Sequence, residues 1–96
     1  MQAIVVPVAH QHFDAAAQVH ERLRASGVRT EIDLSSNRMQ AKVRNALLQK
    51  APYILVVGNK EIETGSVNLR LRDNTVVGSV LIEKFARRVR EESMLP

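Results

Sequence analysis

Apolar and polar positions along this chain fall into short runs and helical stripes. Ala3 to Val8 is a short apolar run closed by Pro7, which predicts a first strand. Phe13, Ala16, Val19 and Leu23 recur at helical spacing, and Gly27 follows as the expected C-cap. Val28 to Leu34 alternates, with Val28, Thr30, Ile32 and Leu34 against Arg29, Glu31 and Asp33, as a half-exposed strand does. Ser35, Ser36 and Asn37 make a loop able to cap the next helix. There Met39, Val43, Ala46 and Leu47 form the buried stripe. Arg38, Lys42, Asn45 and Gln49 are assigned to a basic, solvent-facing side, and Pro52 prevents the helix from continuing.

The run from Tyr53 to Val57 is unbroken apolar and rich in β-branched residues, with Pro52 before it and Gly58 behind. That is how a strand reads when both its faces are covered. Lys60 and Glu61 then fall just past its carboxyl end, the edge at which open α/β sheets bind ligands. Glu61 to Gly65 reads as a turn. Val67, Leu69 and Leu71 alternate with Asn68, Arg70 and Arg72, giving one face to the core and one to water. Asp73-Asn74 is a second turn, and Thr75 to Val80 pairs back as a strand with a bend at Gly78. Ile82, Phe85, Ala86 and Val89 mark a closing helix. Early β-α alternation implies a parallel section of sheet covered by helices, and the late hairpin makes the sheet mixed.

Ninety-six residues make one domain, 1–96, burying roughly 60–70% of its unfolded surface. The absence of Cys removes disulfides and thiolate metal sites. Aromatic residues at 3% weaken any scheme built on stacked rings. No apolar run reaches the length of a membrane span and no signal pattern opens the chain, so the expectation is a cytoplasmic protein without a membrane partner.

The placement of charge changes the picture more than its net value of +4. Arg38, Lys42, Arg44, Lys50, Lys60, Arg70 and Arg72 are opposed in their stretch by Glu61 and Glu63 alone. The remainder is nearly balanced, so the excess lies in the middle third. Such a field attracts polyanions. A plain solvated basic face is the other reading.

No glycine-rich phosphate loop, dinucleotide fingerprint or nucleophile elbow is present, and no Ser is marked as activated. His10, His12 and His20 invite a metal site, but no pair of acidic ligands lies near them, and surface histidines are the simpler reading. The stronger grouping is Glu61 with Arg70. A carboxylate accepts two hydrogen bonds from guanine's N1–H and exocyclic amine, and Arg donates to pyrimidine carbonyls and phosphates. Lys42, Arg44 and Arg72 would hold the backbone while these two read bases. An ordinary exposed ion pair, worth about 0–1 kcal/mol, is the alternative.

Several strings together are specific. They are Asp33-Leu34, Lys42-Val43-Arg44, Leu48-Gln49-Lys50, Pro52 through Glu61, and Gly65-Ser66-Val67-Asn68-Leu69-Arg70-Leu71-Arg72. Over nearly the whole chain they resemble the C-terminal anticodon-binding domain of class II aminoacyl-tRNA synthetases, and within it the threonyl branch. The resemblance implies an α/β, three-layer fold with a mixed five-stranded sheet and flanking helices. It implies docking on the anticodon loop of a threonine-specific tRNA, with Glu61 on the middle guanine and Arg70 on the neighbouring uracil. Ser36 stands where the family places a base-contacting Asn, and Ser35 where it places an Arg. Arg38, Lys42, Arg44, Lys60 and Arg72 fall on the RNA backbone. Asn59 replaces an acidic residue. No cofactor is implied in this domain: ATP and zinc belong to the catalytic part of such ligases, which also forms their homodimer. A free-standing or repurposed relative, binding RNA weakly or serving protein interaction, is the second reading, favoured by the changed Ser35–Gln40 loop.

Overall fold

The computed structural model describes residues 1–94. Strands β1 (Ala3–Pro7), β2 (Thr30–Ile32), β3 (Tyr53–Val57), β4 (Ser66–Leu71) and β5 (Val76–Leu81) form one sheet in the order β2-β1-β3-β4-β5. β2, β1 and β3 run parallel; β4 and β5 complete the sheet antiparallel. The helices are α1 (Phe13–Ala25), α2 (Met39–Leu48), α3 (Asn59–Thr64) and α4 (Ile82–Met94).

Period-two alternation divides the buried strands between two cores. Val5, Leu55, Val57, Val67 and Leu69 pack under Leu23 of α1 and Phe85 and Val89 of α4. Ile4, Val6, Ile54 and Val56 pack under Val43 and Ala46 of α2. The expected three layers and mixed five-stranded sheet are therefore present. No β4 or β5 side chain joins the α2-side cluster among the described residues, so that half of the sheet face lies beside α2 rather than beneath it.

Both early helices end by the same device, and the first of these ends shortens the strand behind it. After α1, Gly27 takes a φ of 90°, its N–H donates to the Arg24 carbonyl, and Val28 N–H reaches back to the Leu23 carbonyl at 2.9 Å. This is a Schellman motif, with Leu23 and Val28 both buried. Val28 is thus spent on the helix end, and the strand expected from Val28 to Leu34 pairs only over Thr30–Ile32. After α2, Lys50 takes the left-handed position at φ 59° and Ala51 N–H donates to the Ala46 carbonyl. The stop is therefore made two residues before Pro52.

Two elements escape the apolar pattern. The segment read as a turn from Glu61 to Gly65 is the end of α3, which starts at Asn59 and closes on Gly65 at φ 65°. A short 3-10 turn, His10–His12, precedes α1. The expected bend at Gly78 is real: its φ is 104°, and the β4–β5 register shifts between Leu69 and Arg70.

Candidate nucleic-acid interface

The parallel strands place three loops on one edge. β1 is followed by Val8–His12, β2 by Asp33–Arg38, and β3 by Gly58 and α3. The sheet order reverses at β1, which has β2 on one side and β3 on the other. Such a reversal opens a crevice at the carboxyl ends of the strands.

Glu61 lies beside this crevice, though not as a freely exposed side chain. It is the third residue of α3 and only 9% exposed. Its Oε1 accepts the Gly58 N–H at 2.9 Å, one half of a capping box. Gly58 allows this close approach: a Cβ there would stand 3.1 Å from Val8 Cγ2 and 3.3 Å from Glu61 Oε1. The carboxylate's second oxygen is not sealed in. It takes no hydrogen bond from the described residues, and the fully buried atoms without a partner are Ser35 Oγ, Asn68 Oδ1 and Arg70 Nε. Glu61 also lines a cavity of about 120 Å³ with Gln18, Val19 and Arg22 of α1, Val57, and Ile82 of α4.

Arg70 stands elsewhere on the sheet. It pairs across from Ile54, on the face that α2 partly covers, three residues before the end of β3. At about 3.3 Å per residue, that is some 10 Å back from the edge. It is half-buried rather than fully exposed, with β3 and β5 flanking its strand. Among the described residues the ion pairs are Arg22–Glu83, Arg24–Glu21 and Arg88–Glu92, so Glu61 and Arg70 are not bonded to each other. The simple ion-pair reading of these two is thereby corrected.

Lys42 also departs from expectation. Instead of facing solvent with Arg38, Asn45 and Gln49, it is 1% exposed. Its Nζ donates to the Pro7 carbonyl at 3.4 Å and lies 4.8 Å from the centre of the Phe13 ring. The spacing explains this. Lys42 follows Met39 by three and precedes Ala46 by four, inside the buried stripe, and its aliphatic stem tolerates that position. Arg72 is exposed but lies at the opposite sheet edge, because β4 runs back from the crevice and Leu71 pairs with Tyr53. Arg38, Arg44 and Lys60 remain exposed. Arg38 opens α2 and shares a shallow groove of about 240 Å³ with the exposed Ser36 and His10 and the half-buried Phe13. The Ser35–Asn37 loop provides no side-chain cap for α2; instead the Ser35 N–H donates to Asp33 Oδ1.

His12, read among surface histidines, is buried at 4% exposure. Nothing in its immediate sequence signals that burial. Its ring bonds to Ala9 N–H and to Asn59 Oδ1. No group of three or more His, Asp or Glu side chains able to hold a metal occurs among the described residues.

A sheet that reverses direction beside a rigid carboxylate, with cations on the flanking loops, is built to receive a charged ligand at its carboxyl edge. The chain belongs to the family described as "Anticodon binding domain", which its residues 2–92 match. It is similar to curated threonine–tRNA ligases: 44% identical over 96 residues to that of Rubrobacter xylanophilus, covering 96% of this chain and 15% of that protein. It is 38% identical over 91 residues to that of Aquifex aeolicus, covering 95% of this chain and 14% of that protein. The chain thus spans about a seventh of these relatives. Among solved structures, the RNA binding domain of threonyl-tRNA synthetase from Cryptosporidium parvum superposes with a TM-score of 0.85 at 26% identity, covering 94% of this chain and 23% of that one. Histidyl-tRNA synthetase from Nostoc sp. PCC 7120 shares the fold, with a TM-score of 0.83 at 16% identity over 97% of this chain and 22% of that one.

Proposed function

We propose that this domain binds the anticodon loop of a threonine-specific tRNA as the C-terminal part of a threonine–tRNA ligase. The reading is carried by Glu61, a carboxylate with one oxygen tied to the backbone and the other open, at the crevice of an anticodon-binding domain. It accepts the N1–H and exocyclic amine of guanine. Arg70, set back some 10 Å from the carboxyl edge along the sheet, serves a different base, a placement that suits unstacked neighbouring nucleotides. Ser36 faces the loop from the groove before α2, and Arg38, Arg44 and Lys60 meet phosphates. Lys42 supports the edge from within, and Arg72 lies too far back to share the contact. Ligation, ATP, zinc and a homodimer belong to the remainder of such a ligase, working in the cytoplasm. No described helix is long and apolar enough to cross a membrane.

The test uses stem-loops with and without the middle guanine, titrated over a range of salt. Affinity falls with salt by roughly 0.7 logarithmic units per phosphate contacted, and the wild type prefers guanine by about tenfold to a hundredfold. Glu61→Gln keeps the Gly58 cap, since Gln serves that position too, and loses the preference. A wild type indifferent to the guanine removes the base-reading role. One observation favours a second reading, a protein-interaction module: Val76 and Val77 are 55% and 47% exposed on the edge strand β5. That reading requires no RNA binding at any salt.

A further inference from the structure

The two turns beside the crevice are built alike and tied together. In the first, His12 Nδ1 accepts the Ala9 N–H at 3.1 Å. In the second, Glu61 Oε1 accepts the Gly58 N–H at 2.9 Å. Between them His12 Nε2 and Asn59 Oδ1 lie 2.8 Å apart. The bond into Nδ1 fixes the chemistry. A nitrogen that accepts carries no proton, so the ring's proton sits on Nε2 and is donated to Asn59. Gln11 Nε2, 3.4 Å from the same nitrogen, is a second donor and adds no bond in this tautomer.

This tie matters because the first turn of α3 has little else to hold it; the far end is held by Thr64 Oγ1, 2.6 Å from Ser66 Oγ of β4. It is six residues long, too short to be stable alone, and its one buried residue is Glu61 itself. Ile62 is 47% exposed. No apolar side chain of α3 is buried to fix the helix against the sheet. A rotation of its first turn would carry Asn59, Lys60 and Glu61 together.

From this geometry we infer that His12 and Asn59 are a positioning pair: a neutral imidazole strap across the crevice that fixes the angle at which Glu61 presents its free oxygen to a base. The inference deepens the anticodon reading and rests on it for its functional consequence. His12 and Asn59 touch no base themselves. They act through the first turn of α3.

The experiment compares the full chain with Asn59→Ala, Asn59→Asp and His12→Gln. Asn59 is exposed, so its truncation leaves the core intact. Asn59→Asp keeps an acceptor for Nε2–H. His12→Gln keeps an acceptor for Ala9 and a donor for Asn59. Affinities are measured for one stem-loop carrying guanine at the recognised base and another carrying adenine there, which lacks both the N1–H and the exocyclic 2-amino group. Asn59→Ala should cut the guanine preference to within about threefold of unity while leaving adenine-loop affinity unchanged, and the other two variants should keep most of it. Equal weakening on both loops, or an undiminished preference, overturns the inference. A second readout needs no RNA. Amide exchange at Gly58 should quicken about tenfold or more in Asn59→Ala and stay slow in Asn59→Asp. Unchanged exchange overturns the inference as well. If the wild type treats both loops alike, the base-reading role fails, and the Gly58 amide alone then decides whether the strap positions α3.

Discussion

The two edges of this sheet carry similar ingredients and differ in how they are held. At the carboxyl edge, His12 and Glu61 are buried, each engaged by a backbone N–H, and bonded residues link the loops. At the amino edge, Tyr53, Arg72 and Arg88 line an open groove of about 450 Å³. There the Tyr53 hydroxyl donates to both oxygens of Glu92, at 2.7 and 2.8 Å, and Arg88 lies over the ring, 5.9 Å from its centre. These contacts are exposed and screened by water, whereas those at the carboxyl edge are not. A cation beside an aromatic ring is therefore not sufficient to mark a reading site. What separates the edges is preorganisation, because a group fixed before binding loses no entropy on binding.

Gly58→Ala tests that difference most severely. The added methyl meets Val8 at 3.1 Å, and overpacking of this kind costs about 1–3 kcal/mol. Denaturant unfolding should show that loss, together with weaker binding of the guanine stem-loop. A neutral result would mean that the carboxyl edge yields as readily as the other.

Tyr53→Phe should cost less, about 0.5–1 kcal/mol, and leave RNA affinity unchanged. Its pH dependence is distinctive. Burial first, then the hydrogen bond and negative charge of Glu92, raise the Tyr53 phenol above its ordinary value of 10.0, with Arg88 pulling the other way. A raised value in the folded state favours folding while the phenol is protonated. That contribution is fully present below about pH 10 and lost as pH climbs past it. Unfolding midpoints of wild type and Tyr53→Phe should therefore converge at alkaline pH. Persistent separation there would remove the phenol–Glu92 bond as the cause.

The smallest effect belongs to Arg72→Ala. Its position at the amino edge predicts a change in stem-loop affinity below about twofold, against a larger loss and a shallower salt slope for Arg38→Ala. If Arg72→Ala weakens binding as much as Arg38→Ala, RNA reaches across the sheet and the division between edges is wrong.

Much of the fold is written in periodicity. Unbroken apolar runs in β1 and β3, alternation in β4 and helical spacing in α1, α2 and α4 place nearly all of both cores, because burial of apolar surface depends on spacing that a chain displays directly. Lys42 is legible as well: its spacing from Met39 and Ala46 puts it in the stripe, and only its charge argues against it. A faint signal for α3 exists in Gly58 three residues before Glu61, with Gly65 behind. That helix buries no apolar stripe, so periodicity does not reveal it.

Residue order alone specifies the layered α/β fold and the edge at which to look. Folding settles which charged groups are available there. It turns Lys42 inward, carries Arg72 to the far edge, separates Arg70 from Glu61 and draws His12 across to Asn59. The cause is range. Apolar period acts between neighbours a few positions apart, whereas the His12–Asn59 bond joins residues 47 positions apart, and only the packed sheet brings such partners to hydrogen-bonding distance.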